Sequence, residues 1–464
     1  MVSDAVGAFG GAGSGGATWS SDGAILLAPS LRSPVYRVSA TGGLPTPVTT
    51  LDSSQWETGH LWPYFLPDNR HFLYLVRSAT PGHGGIFVAS TESKETKRLV
   101  SADSPGLYAR PGYLLFLAGT DLMAQPFDLD RLEMTGLPVR VAERVQYNPA
   151  AGGYGAFSVS QNNTLVYNTG SGLRSVLAWF DRTGKQLGQV GAAGAYTVPS
   201  LSPDGSKVAV AMTAENRNSD IWVLDAVRST SSRLTFEGNA VIPIWSADGN
   251  LILYRSDQAA PGDLYQKLSS GAGTPEALLK SNTVKSPTDW STDGHFVVYD
   301  APDPKTSVDV WILPTTGDQK PFPMLRSEFN EQQGRVSPNG QWIAYTSDET
   351  GRPEVYVQSF PTPGGKWQIS TSGGADPRWR RDGKELFFIS SDRKLMAVDI
   401  QAGSTFQAGL PRSLFDVRVS GLTDVRTHYA VAADGGRFLV NRIDESDVAA
   451  PITVVLNWTA RLKQ

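Results

Sequence analysis

The chain has 464 residues, with 47 glycines, 30 prolines and no cysteine. Turns are therefore frequent, and disulfides, thiolate catalysis and Cys-ligated metals are excluded. Hydrophobic residues make up 40% of the chain, enough for a large core and incompatible with a disordered polypeptide. The formal charge is −4, from 41 Lys+Arg against 45 Asp+Glu, and no basic run occurs, so no nucleic-acid partner is expected.

From the N-terminus, residues 1–17 read as a flexible Gly/Ala-rich tail. The first basic residue is Arg32, so no secretory leader with a positive n-region is expected. The longest apolar runs, such as Ile452 to Leu456, are too short to span a bilayer, so no direct membrane insertion is expected.

Beyond the tail the chain repeats itself. Weak turn signals at Asp22-Gly23, Asp68-Asn69, Pro111-Gly112 and Asn162-Asn163 lead into six stronger ones. These are Ser202-Pro203-Asp204-Gly205, Ser246-Ala247-Asp248-Gly249, Ser291-Thr292-Asp293-Gly294, Ser337-Pro338-Asn339-Gly340, Arg380-Arg381-Asp382-Gly383 and Ala432-Ala433-Asp434-Gly435. In the strong set the Asp/Asn positions are 44, 45, 46, 43 and 52 apart. Each unit has the same internal order: a short strand, a turn that supplies positive φ, an apolar strand such as Trp342-Ile343-Ala344-Tyr345, a polar loop, and a third strand such as Glu354-Val355-Tyr356-Val357. A weaker fourth strand completes the unit. Four short strands per 40–50 residues is the pattern of a β-propeller blade. The expected fold is all-β, built of four-stranded blades.

A longer repeat lies over the short one. Gly112-Tyr113-Leu114-Leu115-Phe116 matches Gly383-Lys384-Glu385-Leu386-Phe387 at an offset of 271, and Gly136-Leu137-Pro138 matches Gly409-Leu410-Pro411 at 273. That offset is about six blades. The expected organisation is a partial propeller of four blade-like units over 18–191 and a complete six-bladed ring over 192–464. A strand at 185–190 is expected to close the ring by pairing the two ends of the chain in one blade. Ile452 to Trp458 reads as a strand of the last blade.

The segments Gly334 to Pro361, Gly364 to Ser370, Pro377 to Phe388, Leu122 to Leu129 and Ile452 to Ala460 resemble a bacterial TolB-like, WD-like propeller family. The resemblance is closest to the propeller regions C-terminal to the kinase domain of membrane-anchored bacterial Ser/Thr protein kinases. It implies an extracytoplasmic sensor or interaction module that binds rather than catalyses. The kinase half is missing: no Gly-rich loop before a Val-Ala-Ile-Lys strand, no His-Arg-Asp loop and no Asp-Phe-Gly occurs.

Other chemistry finds little support in the residues. Gly11-Ala12-Gly13-Ser14-Gly15 places its serine at the wrong offset for a nucleophile elbow. His60, His71 and His83 share one unit and could converge, although surface and packing roles fit them better. Neither His295 nor His428 forms a metal-binding pair in sequence. The repeated turn Asp reads as a hydrogen-bond acceptor for nearby amides, and Trp245, Trp290 and Trp379 read as inter-blade packing. No cofactor and no metal is expected.

The candidate ligand residues come from the opposite register of the innermost strands, four before each turn Asp/Asn: Ser200, Ile244, Asp289, Arg335, Arg378 and Ala430. Asp289, Arg335 and Arg378 would bring two cations and one anion together across a central channel. They would bind a small anionic ligand or an acidic peptide tip, or else pair with one another. The loops Thr213 to Asp220, Arg255 to Asp263, Asp300 to Asp309 and Thr346 to Glu354, with Phe236 to Ile242 and Ser327 to Gln333 between blades, offer a surface for a protein or peptide partner. The alternative is a propeller-based enzyme, a hydrolase or polysaccharide lyase, working in the channel.

Overall fold

The computed structural model describes residues 15–31, 33–78, 82–148, 152–169, 174–214, 218–228, 230–258, 262–303, 305–403, 405–419, 427–444 and 451–463. The tail expected over 1–17 lies outside the described residues as far as position 14. The regular structure is antiparallel strand, and among the described residues helix is confined to short 3-10 segments at Ser53–Gln55 and Trp458–Lys463. The chain divides into two compact units, 1–173 with 445–464, and 174–444.

Unit two holds six sheets. Five begin with an inner strand: Tyr196–Leu201, Ala240–Trp245, Ser286–Trp290, Glu331–Val336 and Gly374–Trp379. Each continues outward strand by strand in chain order. The sixth is shared between the two ends of the unit, in the order Gln186–Gly194, Ser175–Asp181, Arg437–Ile443, Tyr429–Val431. Each inner strand lies against the next, and Tyr429–Val431 lies against Tyr196–Leu201. The strand that joins the ends is Ser175–Asp181, from Val176 opposite Arg442 to Asp181 opposite Arg437. The 185–190 segment falls in its outer neighbour.

Unit one holds sheets that start at Ala17–Trp19, Glu57–Phe65 and Leu107–Ala109, and a three-stranded sheet in the order Phe157–Val159, Thr164–Asn168, Ile452–Leu456. The C-terminal strand, expected in the last blade of the second ring, thus belongs to unit one. The reason is occupancy. Ser175–Asp181 already fills the place beside Arg437–Ile443. Val455 and Trp458 meanwhile complete a unit-one core with Leu115, Leu122, Phe157 and Leu165.

Two sheets carry the long repeat in their topology. In each, the third strand pairs with two later strands: Asp121–Asp128 with Glu133–Met134 and Val139–Ala142, and Lys394–Ala402 with Phe406–Ala408 and Arg412–Asp416. The Gly-Leu-Pro copies occupy the same turn in both.

Sheets pack through aliphatic and aromatic side chains. In unit two, Val298, Val310, Ile312, Val336, Ile343 and Tyr345 form one such layer, and Trp342, Val355, Leu386 and Phe388 another. The turns are held by side chains. Ser202 Oγ donates to Asp204 Oδ1 at 2.6 Å and accepts from Lys207 N at 2.9 Å. Ser246/Asp248 repeats this arrangement, as does Ser291/Asp293. Gly205, with φ of 73°, takes the left-handed position that a side chain would disfavour.

Candidate functional site

One irregularity shapes the inner face of unit two. Five of its six inner strands carry a register shift four to seven residues before the turn Asp/Asn. In four of them the residue six before the turn is left-handed: Val198, Ile242, Gln333 and Asp376, with φ of 54°, 55°, 62° and 58°. Such bulges re-aim side chains. Strict alternation along the strand therefore does not decide which residues meet. Ile244 packs between sheets beside Leu253 and Val297. Ala430 packs beside Leu177 and Leu439. The long side chains Arg335 and Arg378 reach the same point.

That point is the hydroxyl of Thr427. Arg335 Nη2 donates to Thr427 Oγ1 at 3.0 Å, and Arg378 Nη2 donates to the same oxygen. Arg335 Nη1 lies 3.7 Å from Asp289 Oδ1. Asp289 Oδ2 accepts from the Val336 amide at 2.8 Å. Arg335 is 7% exposed, and Arg378 is also largely enclosed. The Nε–H of each guanidinium has no hydrogen-bond partner among the described residues. Burial, and then the neighbouring Arg378 charge, pull the Arg335 pKa down to about 10. Burial pushes Asp289 up, against the pull of Arg335.

A second acid, absent from the sequence expectation, completes the cluster. Asp376 is fully buried. Its Oδ1 stands 3.2 Å from Arg378 Nη2, and its Oδ2 accepts from the His428 amide at 2.8 Å. Tyr429 donates its hydroxyl to the Asp376 carbonyl at 3.0 Å. The Asp376 amide donates to Gln333 Oε1, and the Gln333 amide donates to Asp300 Oδ2, so the links pass from sheet to sheet. Burial works against the Asp376 carboxylate, but Arg378, His428 and Arg335 outweigh it and hold its pKa below the usual range. The three expected residues are thus brought together, with Asp376, Thr427 and His428 added. The sequence signal shared by Asp376 and His428, and by Gln333, is the position six before the turn Asp/Asn.

The remaining expectations resolve individually. Trp245 Nε1 donates to the Ser200 carbonyl and Trp379 Nε1 to the Arg335 carbonyl, each from one sheet to the preceding one. Trp290 Nε1 bonds within its own turn, to the Gly294 carbonyl. His60 and His83 do converge. Their Nε2 atoms lie 2.9 Å from Glu57 Oε2 and Oε1 respectively, whereas His71 pairs with Asp68. Burial opposes ionisation of Glu57, but His60, the Asp52 amide and His83 bring it down to about 2. No group of three or more His, Cys, Asp or Glu residues able to hold a metal occurs among the described residues. Three of the six expected partner loops fall partly outside the described residues, at 215–217, 259–261 and 304.

At the turn end of unit two lies a cavity of about 810 Å³, lined among others by Arg182, Arg380, Glu385, Asp399 and Arg412. Glu385 is its hub. It receives Arg182 at 2.8 Å, Arg380 at 2.6 Å and also Arg412. Arg182 additionally donates to the Gly435 carbonyl at 2.8 Å. The hairpin that starts the unit is thereby tied to the sheets that end it.

Residues 159–343 match the family model described as TolB beta propeller domain. With the sheets above, the fold is of TolB propeller type. No curated protein matches the chain. Among solved structures, a putative TolB from Agrobacterium tumefaciens has 18% identity and a TM-score of 0.49, with 59% of this chain and 99% of that one covered. TolB from Acinetobacter baumannii has 15% identity and a TM-score of 0.41, covering 65% and 79%. An oligogalacturonate lyase from Vibrio parahaemolyticus has 10% identity and a TM-score of 0.39, covering 64% and 83%. Among the described residues, no helix is long and apolar enough to cross a membrane.

Proposed function

We propose that the chain is a non-enzymatic propeller scaffold that binds an anionic ligand, a small molecule or the acidic tip of a peptide or protein partner, at the inner face of unit two. The six sheets of unit two are taken as a closed six-bladed ring and those of unit one as a four-blade arc. One observation carries the binding assignment. Two enclosed guanidiniums, Arg335 and Arg378, meet on a single hydroxyl, and the buried Nε–H of each has no acceptor among the described residues. Like charges held this close are relieved by an anion between them. Charge-assisted bonds to a carboxylate are the strong kind. Asp289 and Asp376 offset the formal charge, so directional donors and not net charge select the ligand.

The resemblance to kinase-associated propellers suggests the biological setting: the sensor or interaction region of a bacterial signalling receptor, or a detached paralogue, acting outside the cytoplasm. The alternative, lyase or hydrolase chemistry, has one nearby base, His428. Its side chain is 4% exposed and stands 3.7 Å from Asp376; it is as enclosed as Arg335, and a polymer is a bulkier guest for that space than a single carboxylate.

The test is an acidic-peptide array followed by titration of the hits. Arg335→Gln and Arg378→Gln are each expected to weaken binding roughly tenfold to a hundredfold, the worth of one charge-assisted bond. Unchanged affinity in both variants, with an unchanged melting temperature, contradicts the assignment.

A further inference from the structure

The three-stranded sheet of unit one ends on an unprotected edge. Within it, the Asn168 amide donates to the Ala156 carbonyl and the Ser160 amide to the Thr164 carbonyl. Thr164, Val166 and Asn168 therefore direct their backbone groups toward Phe157–Val159, and Leu165 and Tyr167 direct theirs toward the C-terminal strand. Leu165 stands opposite Val455 and Tyr167 opposite Thr453. Ile452, Val454 and Leu456 are left with N–H and C=O groups that point away from the sheet. No strand takes them up among the described residues.

The same three residues expose their side chains, at 70%, 58% and 71%, while Val455 is 8% exposed. Charge, proline and bulges, three devices that blunt an edge, are absent from its described strands. The strand Ile452–Leu456 and its neighbours Thr164–Asn168 and Phe157–Val159 contain no charged residue and no proline. The pairing between Thr164–Asn168 and the C-terminal strand runs without a bulge. Most other sheets of the chain have four or five strands, and this one has three.

We propose that this edge pairs with the same edge of a second copy of the chain, antiparallel about a two-fold axis through Val454. The sequence Ile-Thr-Val-Val-Leu is self-complementary in that register. Val454 meets Val454 of the partner subunit as a hydrogen-bonded pair. Ile452 meets Leu456 of the partner subunit, so each exposed aliphatic side chain lies beside another. With no charge on either strand, nothing opposes the approach. Each copy supplies the strand that the other's sheet lacks. The interface is isologous, as a two-fold contact requires. It is also small, so the dimer forms in a concentration-dependent way.

The geometry provides a selective test by light scattering across a concentration series. Val454→Pro removes an N–H that faces only the free edge, and proline is tolerated on such edges. It is expected to leave the melting temperature unchanged and to hold the chain monomeric where wild type dimerises. Val454→Lys, which would set like charges opposite each other at the axis, provides a second route to the same result. Because the chain has no cysteine, Val454→Cys can also be probed with a short bis-maleimide. It is expected to give a covalent dimer, while Val227→Cys, at an 86% exposed site in unit two, does not. A single-chain mass for wild type throughout the series overturns the proposal. So does a dimer that survives both Val454→Pro and Val454→Lys.

Discussion

At the scale of single residues, ionisable groups in this protein serve either the scaffold or the inner-face cluster, and the two uses differ in how fully they are spent. Glu57 is a scaffold case, with both carboxylate oxygens engaged by His60 and His83. Its folded pKa of about 2 lies below the ordinary 4.5. The stabilisation from Glu57 is therefore fully present above about 4.5 and is lost as the pH falls toward 2. Denaturant titrations over that window should show wild type losing stability more steeply than Glu57→Gln; parallel pH dependences would contradict the assignment. Arg335 and Arg378 are the other case, since donors remain after every described partner is counted. Their existence and rough convergence could be read from the register four before the turn. Asp376 and His428 could not. Asp376 is itself a left-handed residue in a bulge, a break that a count of alternating faces passes over, and His428 lies just ahead of the strand Tyr429–Val431, outside any such count.

At the scale of elements, the turns and strands follow closely from local chemistry. The Asp-Gly or Asn-Gly pair supplies a hydrogen-bond acceptor and a left-handed position in all six turns, and a preceding serine adds a hydroxyl in four, so six hairpins are legible in the sequence. What was not legible is the partner chosen by strands of similar composition. Ile452–Leu456 could serve either unit by its pattern, and the available edge and the Trp458 pocket decided the matter. The Glu385 hub was equally hidden, because Arg182 lies 203 residues away in sequence. Removing it leaves Arg182, Arg380 and Arg412, each partly exposed, facing one another without their shared carboxylate. Glu385→Ala should destabilise the protein by about 1–3 kcal/mol in chemical denaturation, the worth of charge-assisted bonds that solvent partly screens. A loss below about 1 kcal/mol would show that the arginines find other partners.

At the scale of the whole molecule, the long repeat explains more than the short one. An offset of 271–273 residues links two sheets that share an unusual five-strand topology, which duplication of a multi-blade block accounts for directly. One sheet of unit two is built from both of its ends, and on the proposed ring this is where the ring closes. Ala178, fully buried, is the middle of that sheet, opposite Val440 on one side and Gln189 on the other. Ala178→Pro removes a ladder bond and should cost about 3 kcal/mol or more. Hydrogen exchange should then accelerate along Arg437–Ile443 and spread to the inner strands, because an opened ring loses its mutual support. Acceleration confined to Ala178 and its immediate neighbours would contradict closure through this sheet.

The claim on which the functional account depends is that the Nε–H groups of Arg335 and Arg378 are the ones an anionic partner takes up. Nitrogen-15 NMR of arginine side chains reads those groups directly, with Arg335→Gln and Arg378→Gln assigning the two signals. Adding an acidic peptide that binds should shift both signals and slow their exchange with water. Saturated binding that leaves both signals in place would contradict it.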